Sequence, residues 1–382
     1  MSRFLAVSIS LMFVTISYSN SSFAQQPLPD PRFNQWDKNK DGKLARDELP
    51  NQLQRNFARV DVNSDGFISL EEHLRFVNRG RQTRNQNEPQ RFVRTPENVA
   101  LHPDLPYAAT DNPRQKLDLL LPKKANGNGP LPVVAFIHGG GWRNGDKRGG
   151  LGRVARFVQS GDYAAASIGY RLSGEAKWPA QIHDCKAAIR WLKANAKRYN
   201  LDPKRIAVFG TSAGGHLVAM LGVTGGVEHL QGKLGPHTDQ DGRVACVVDF
   251  FGPTDFLTMN DFSSRIDHDA ANSPESLLVG GAIQDHKEKA RDAAPMTYIS
   301  KDDVPILIMH GTKDPLVPFD QSVKFETALK KAGVDAVLVT ITDGEHGFRG
   351  TEIDTRVDRF LEKHLLGKDV EISNDAIRPV EK

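Results

Sequence analysis

From about residue 96 onward, short apolar runs bounded by turns alternate with longer stretches of helical periodicity. Lys116–Leu121, Val133–Ile137, Ala164–Ile168, Arg205–Phe209, Ala245–Phe250, Pro305–Met309 and Ala336–Ile341 are dominated by apolar residues, which predicts strands buried on both faces. Pro179–Arg198, Ala213–Gly222, Asp320–Ala332 and Thr351–Leu366 read as helices between them. The last places Ile353, Val357, Phe360, Leu361 and Leu365 on one face, and Gly333 and Gly367 stand at expected C-caps. This alternation predicts an α/β domain over 96–382, a mostly parallel sheet covered by helices on both faces. Functional residues are then expected just beyond the carboxyl ends of the strands.

The first 95 residues follow other patterns. Arg3 precedes an apolar run from Phe4 to Ile16, and a polar stretch ends in Ser22-Phe23-Ala24. Small residues at the first and last of these three positions fit a signal-peptidase site, so residues 1–24 read as a signal peptide and the mature chain as secreted or periplasmic. No other segment approaches 18 apolar residues, so stable membrane insertion is not expected.

Two twelve-residue loops follow. In the first, Asp37, Asn39, Asp41 and Glu48 occupy positions 1, 3, 5 and 12, with Gly42 at 6 and Lys43 at 7. Asp61, Asn63, Asp65, Glu72, Gly66 and Phe67 repeat this pattern 24 residues on. A hard cation such as Ca²⁺ takes six to eight oxygens; here the carboxylates, the Asn amides and the Lys43 and Phe67 carbonyls would supply them. Leu44 and Ile68, at position 8 of each loop, are expected to pair as a short strand couple. The segment resembles a tandem EF-hand, a small all-α module within 25–80. Pro29, Pro31 and Pro50 should keep its helices short, which argues for a structural or docking role, with a calcium-dependent surface or protein as partner, over a sensor. Residues 81–95 continue an Arg-rich, non-periodic stretch that begins at Arg79 and reads as a basic linker.

Length and charge narrow the function. A chain of 382 residues suggests two or three units, and 39% hydrophobic residues suffice for a sizeable core. Fifty Lys and Arg against 47 Asp and Glu give no general grip on nucleic acid. Two cysteines exclude a disulfide scaffold; Cys185 lies on an apolar helix stripe and Cys246 in a strand, so both are expected as buried free thiols.

The chemistry lies at strand ends. Arg205–Phe209 runs into Gly210-Thr211-Ser212-Ala213-Gly214, a G-x-S-x-G turn opening a helix, where Ser212 is the candidate nucleophile. Val133–Ile137 runs into His138-Gly139-Gly140-Gly141-Trp142. The N–H groups of Gly140, Gly141 and Ala213 would form an oxyanion hole, with His138 bracing the loop. Asp314 follows the penultimate strand and His346 the last one, completing a nucleophile–acid–base order. Asp255 is a competing acid. His183, His268, His286 and His310 are competing bases, the first and last read as structural and the other two as surface residues. Asp267-His268-Asp269 has no second His at ligand spacing, so no metal is assigned there. Trp142 and Trp178 are candidate substrate-binding residues, and segments 222–242 and 257–294 are expected to shape the acyl and leaving-group sites.

These motifs resemble the α/β-hydrolase esterases, in particular the group of bifunctional feruloyl and acetyl xylan esterases, with hormone-sensitive-lipase-like enzymes more distant. Residues 136–147, 170–196, 201–222, 247–256 and 307–322 carry the resemblance. It implies hydrolysis of small acyl esters through a serine acyl-enzyme, with acylated plant or algal polysaccharide as substrate and no cofactor for catalysis. The rival readings are a broad carboxylesterase or lipase and a calcium-dependent binding protein with an inert hydrolase domain. A prolyl-oligopeptidase-type peptidase is disfavoured, because 95 preceding residues cannot supply a propeller.

Overall fold

The computed structural model describes residues 31–76 and 95–378. The expected signal peptide and almost all of the expected basic linker lie outside these residues. The chain divides into two compact units at Arg91/Phe92.

The smaller unit is built from short pieces. Helix Pro31–Trp36 enters the first loop, Asn51–Gln54 and Phe57–Val60 connect the loops, and residues 70–76 are helical after the second. Pro50 stands just before the connecting stretch, which consists of two single turns separated at Arg55-Asn56. Strands β1 (Lys43–Leu44) and β2 (Ile68–Ser69) pair antiparallel with Leu44 opposite Ile68, as the loop positions led one to expect. Phe33, Leu44, Leu49, Phe57, Val60 and Ile68 form a small core of their own.

The larger unit holds one eight-stranded sheet. Its strands are β3 (Val99–Pro106), β4 (Lys116–Pro122), β5 (Leu131–Ile137), β6 (Ala164–Ile168), β7 (Leu201–Thr211), β8 (Cys246–Phe250), β9 (Ile306–Gly311) and β10 (Ala336–Ile341). The spatial order is β10-β9-β8-β7-β5-β6-β4-β3; β10 to β6 run parallel, and β4 and β3 add antiparallel at one edge. Two apolar layers sandwich the sheet. Helices Ala180–Ala194 and Ala213–Val223 pack on one face, and Leu151–Gln159 and Thr351–Leu366 on the other. Every residue of β5, β6, β8 and β9 is buried, which explains why these strands read as unbroken apolar runs. Cys185 and Cys246 are buried and free.

One polar residue in β8 gives this core a pH response. Asp249 is fully buried; its Oδ1 accepts from the Gly252 N–H at 2.9 Å and its Oδ2 has no partner among the described residues. Burial pushes its carboxyl up to about 7, against a partial lowering by the Gly252 bond. Between pH 4 and 7 the unfolded chain releases this proton while the folded chain retains it, so stability falls as pH rises through that window and stays lowered above it. Asp249→Asn keeps an acceptor for Gly252 and removes the titration. Between pH 5 and 8 the variant should lose about 3 kcal/mol less unfolding free energy than the parent in urea melts. Equal losses in both proteins would show that Asp249 is not the titrating group.

Candidate active site

Ser212 sits between β7 and helix Ala213–Val223 with φ of 55° and ψ of −124°. A non-glycine residue held at positive φ is strained and persists only where its surroundings fix it. Here the Ser212 N–H donates to the Phe250 carbonyl at 2.9 Å, and its carbonyl accepts from His216 N at 2.9 Å. The flanking glycines are required by space. A Cβ on Gly210 would lie 2.1 Å from the Gly214 carbonyl oxygen, and one on Gly214 would lie 2.1 Å from the Ile137 carbonyl oxygen. The turn therefore closes tightly against β5 and lifts the Ser212 hydroxyl above the sheet.

His346, in the loop after β10, places Nε2 3.0 Å from Ser212 Oγ. Its Nδ1 lies 2.7 Å from Asp314 Oδ2, in the turn after β9. Asp314 is itself pinned: Oδ1 accepts from Leu316 N at 2.8 Å and Val317 N at 3.0 Å. His310 Nε2 also reaches Oδ2, at 3.2 Å. Burial raises the Asp314 carboxyl, but the hydrogen bonds from His310 and His346 outweigh it and hold the group well below its ordinary range. Asp314 is therefore a carboxylate at any working pH.

Beside Ser212 the loop after β5 brings up its glycines. Gly140 and Gly141 adopt φ of 114° and 57°. Among the described residues, no carbonyl accepts from the N–H of Gly140, Gly141 or Ala213. Several contacts hold this loop in place. His138 Nδ1 lies 2.8 Å from its neighbour's carbonyl, its ring stacks on Tyr170 at 4.3 Å, and the Tyr170 hydroxyl donates to the His138 carbonyl. Lys147 at the loop's end pairs with Asp118 and Asp104. His138 is thus a brace, as its position suggested.

The cleft above these groups encloses about 530 Å³. Gly139–Trp142, Thr211–Ala213, His346 and Gly347 form its floor, and Phe251, Ile266, His268, Pro274, Glu275, Leu316 and Val317 its walls. Of the two segments expected to shape it, 257–294 supplies wall residues and 222–242 supplies none. Trp142 reaches the cleft only in part, being buried. Its Nε1 donates to His216 Nδ1 at 3.2 Å, and His216 Nε2 donates to the Ala293 carbonyl. That fixes His216 as a neutral imidazole, and burial pushes its pKa down to about 4. Trp178 does not line the cleft; its indole donates to Asp292 Oδ2 at 2.6 Å and its ring meets the far side of His216.

Asp255 is not placed with the triad, since its carboxylate accepts from Thr258 Oγ1. His183 Nε2 lies against the His229 carbonyl and His310 against Ser322 and Val317, so both are structural. His268 departs from its expected surface position. It is buried in the cleft wall, 3.1 Å from Glu275 on the short helix Pro274–Val279. Its burial, not its presence among the candidates, is what the polar surroundings Asp267 and Asp269 concealed.

The two loops of the smaller unit turn their side-chain oxygens inward. Asp37 accepts from the N–H groups of Asp41 and Gly42, Asn39 from Asp41, and Glu48 from Lys38, Asn39 and Ala45. Asp61, Asn63 and Glu72 repeat these bonds, and Asp41 and Asp65 accept from the N–H groups of Lys43 and Phe67. The position-7 side chains meet across the loops, with Lys43 Nζ 5.3 Å from the Phe67 ring centre. Gly42 and Gly66 take φ of 80° and 86°. The all-oxygen set fits calcium chemically, although among the described residues no three His, Cys, Asp or Glu side chains are grouped to hold an ion.

Residues 117–329 match the BD-FAE family model, more than half of the chain. The chain belongs to the BD-FAE esterase family. A separate EF-hand model matches residues 53–77. Esterase LipC of Mycobacterium tuberculosis is 32% identical over 240 residues, 62% of this chain and 58% of that protein. The chain thus spans little more than half the length of that curated relative. A truncated carbohydrate esterase from gut microbiota superposes with a TM-score of 0.64 at 31% identity, covering 70% of this chain and 96% of that one. A bifunctional GH43-CE protein of Bacteroides eggerthii gives 0.64 at 33% identity, covering 69% and 35%. The α/β-hydrolase architecture and esterase character of this BD-FAE domain follow from these matches.

Proposed function

We propose that the protein is a secreted or periplasmic serine carboxylesterase acting on small acyl esters, with acetyl or feruloyl groups on plant or algal polysaccharide as substrates. The observation that carries this is the relay Asp314–His346–Ser212, with contacts of 2.7 and 3.0 Å, on the floor of an open cleft. Ser212 Oγ attacks the acyl carbonyl as its proton passes to His346 Nε2, and Asp314 stabilises the imidazolium. The N–H groups of Gly140, Gly141 and Ala213 receive the oxyanion. His346 then protonates the departing alcohol, and a water repeats the sequence to free the acid. The carbohydrate-esterase likenesses support a saccharide alcohol as leaving group. A panel of acetyl xylan, methyl ferulate and triglyceride tests this; kcat/KM for one of the first two should exceed that for triglyceride at least about tenfold. Triglyceride as the best substrate would replace the polysaccharide reading with a lipase.

Calcium would be held by Asp37, Asn39, Asp41, Lys43 and Glu48, and by Asp61, Asn63, Asp65, Phe67 and Glu72, where it would neutralise the clustered carboxylates. Its place is structural, or in docking a surface or protein partner. Where calcium stands about a hundredfold above its Kd, chelation should cost the small module about 2.7 kcal/mol of stability. Ester turnover should stay near normal, because no loop oxygen belongs to the triad. Loss of kcat in EDTA with the hydrolase domain still folded would contradict this.

A further inference from the structure

A second cavity, of about 420 Å³, lies beside the catalytic cleft, and Arg153 forms a wall of both. Arg153 projects from helix Leu151–Gln159 over the rings of Phe136, Phe209 and Phe250, with its guanidinium carbon 5.6 to 6.0 Å from their centres. Among the described residues it has no hydrogen-bond acceptor and no ion-pair partner. Arg349 lines the same side cavity and likewise has no acidic partner among the described residues. The third arginine there, Arg156, is engaged by Asp358 at 2.6 Å and Asp354 at 3.5 Å. Asp354 is thus the cavity's one acid and is already held, while on the catalytic side Glu275 faces His268. Burial first, and then Arg349, push the Arg153 guanidinium down, against a partial opposing pull from Asp354.

A partly buried guanidinium with its donors unused, beside a second unpaired one, is a site built for an oxyanion: guanidinium forks match carboxylate and sulfate in shape as well as charge. The buried rings beneath Arg153 hold its guanidinium by cation–π contact at the cavity wall. We propose that Arg153 and Arg349 form an anion subsite beside Ser212, so that the preferred ester is carried on a saccharide bearing a carboxylate or sulfate group. This rests on the esterase reading above and names the substrate class of that same cleft.

Three acetylated xylo-oligosaccharides distinguish the outcomes: one neutral, one bearing a uronic acid and one bearing a sulfate ester. The parent protein should show kcat/KM for at least one anionic ester about tenfold above the neutral one, mainly through KM. The preference should shrink as ionic strength rises. Which anionic ester wins identifies the group. Arg153→Gln and Arg349→Gln should each bring the anionic-to-neutral ratio toward one, and Arg153→Lys should restore part of it. The ratio divides out any general loss from misfolding. Parent protein that cleaves all three esters equally, or variants that leave the ratio unchanged, would overturn the subsite. Failure to cleave any of them would instead count against the esterase reading.

Discussion

Ser212→Ala is expected to lower kcat for a short-chain ester by about 10⁵-fold or more, while leaving the urea midpoint close to that of the parent. Ser212 Oγ is the group that His346 Nε2 meets at 3.0 Å, so without it no acyl bond to the protein forms. Residual turnover would come from binding and from the N–H groups of Gly140, Gly141 and Ala213, which the substitution leaves in place. The fold should tolerate the change, because the turn is held by backbone bonds from Ser212 N and to its carbonyl rather than by the hydroxyl. A p-nitrophenyl phosphonate should add one phosphonyl mass to the parent and none to the variant. Turnover by the variant within tenfold of the parent would displace Ser212 from its role.

Asp314→Asn should cost about 10⁴-fold in kcat, for a reason visible in the hydrogen bonds. Leu316 and Val317 both donate N–H groups to Asp314 Oδ1, so an asparagine must turn its carbonyl oxygen to that side. Its NH₂ then occupies the Oδ2 position, against His346 Nδ1. Nδ1 becomes an acceptor, the ring proton moves to Nε2, and the imidazole can no longer take the Ser212 proton. The same NH₂ opposes His310 Nε2, which donates to the Val317 carbonyl at 3.0 Å, so unfolding free energy should also drop by about 1–3 kcal/mol. Asp255→Asn, by comparison, alters a carboxylate bonded to Thr258 and should leave the triad intact. If Asp314→Asn retained most activity while Asp255→Asn lost it, the acid would have been assigned to the wrong strand end.

The sheet was readable where burial on both faces removes any need for alternation. β6 and β10 have the bounds that their apolar runs indicate, β5 and β7 extend them by a few residues, and β9 begins one residue later and ends two later than its run. β3 left no such trace. It is an antiparallel edge strand, mostly part-exposed, with Pro103 and Pro106 inside it and a register shift between His102 and Leu105. Such a strand carries neither a continuous apolar run nor a period of two. Helix Leu151–Gln159 also went unread, following directly on the Gly149-Gly150 turn with Gly152 inside it.

At the site, the residues fixed by backbone chemistry could be recognised in sequence. Ser212, Gly140, Gly141, Asp314 and His346 sit just past strand ends, where short spacing constrains their positions. Of the cleft walls only the segment 257–294 was legible, not the individual residues, because those depend on how distant loops settle. His268 is buried only because Glu275 and Ser264 close around it, and Trp178 is drawn away from the cleft by Asp292. Trp178 and Asp292 are 114 positions apart, and Ser264, His268 and Glu275 do not share one helix or strand, so periodicity reports none of these pairings.

Ser212 and His346 stand 134 positions apart, on loops after strands that are not neighbours in the sheet. Ester turnover therefore waits for β7, β8, β9 and β10 to dock side by side, and each of those parallel pairings closes a long loop. Local helices can form well before that. A chain part-way through folding would carry most of its secondary structure while still chemically silent, and activity would mark the completion of folding rather than its progress.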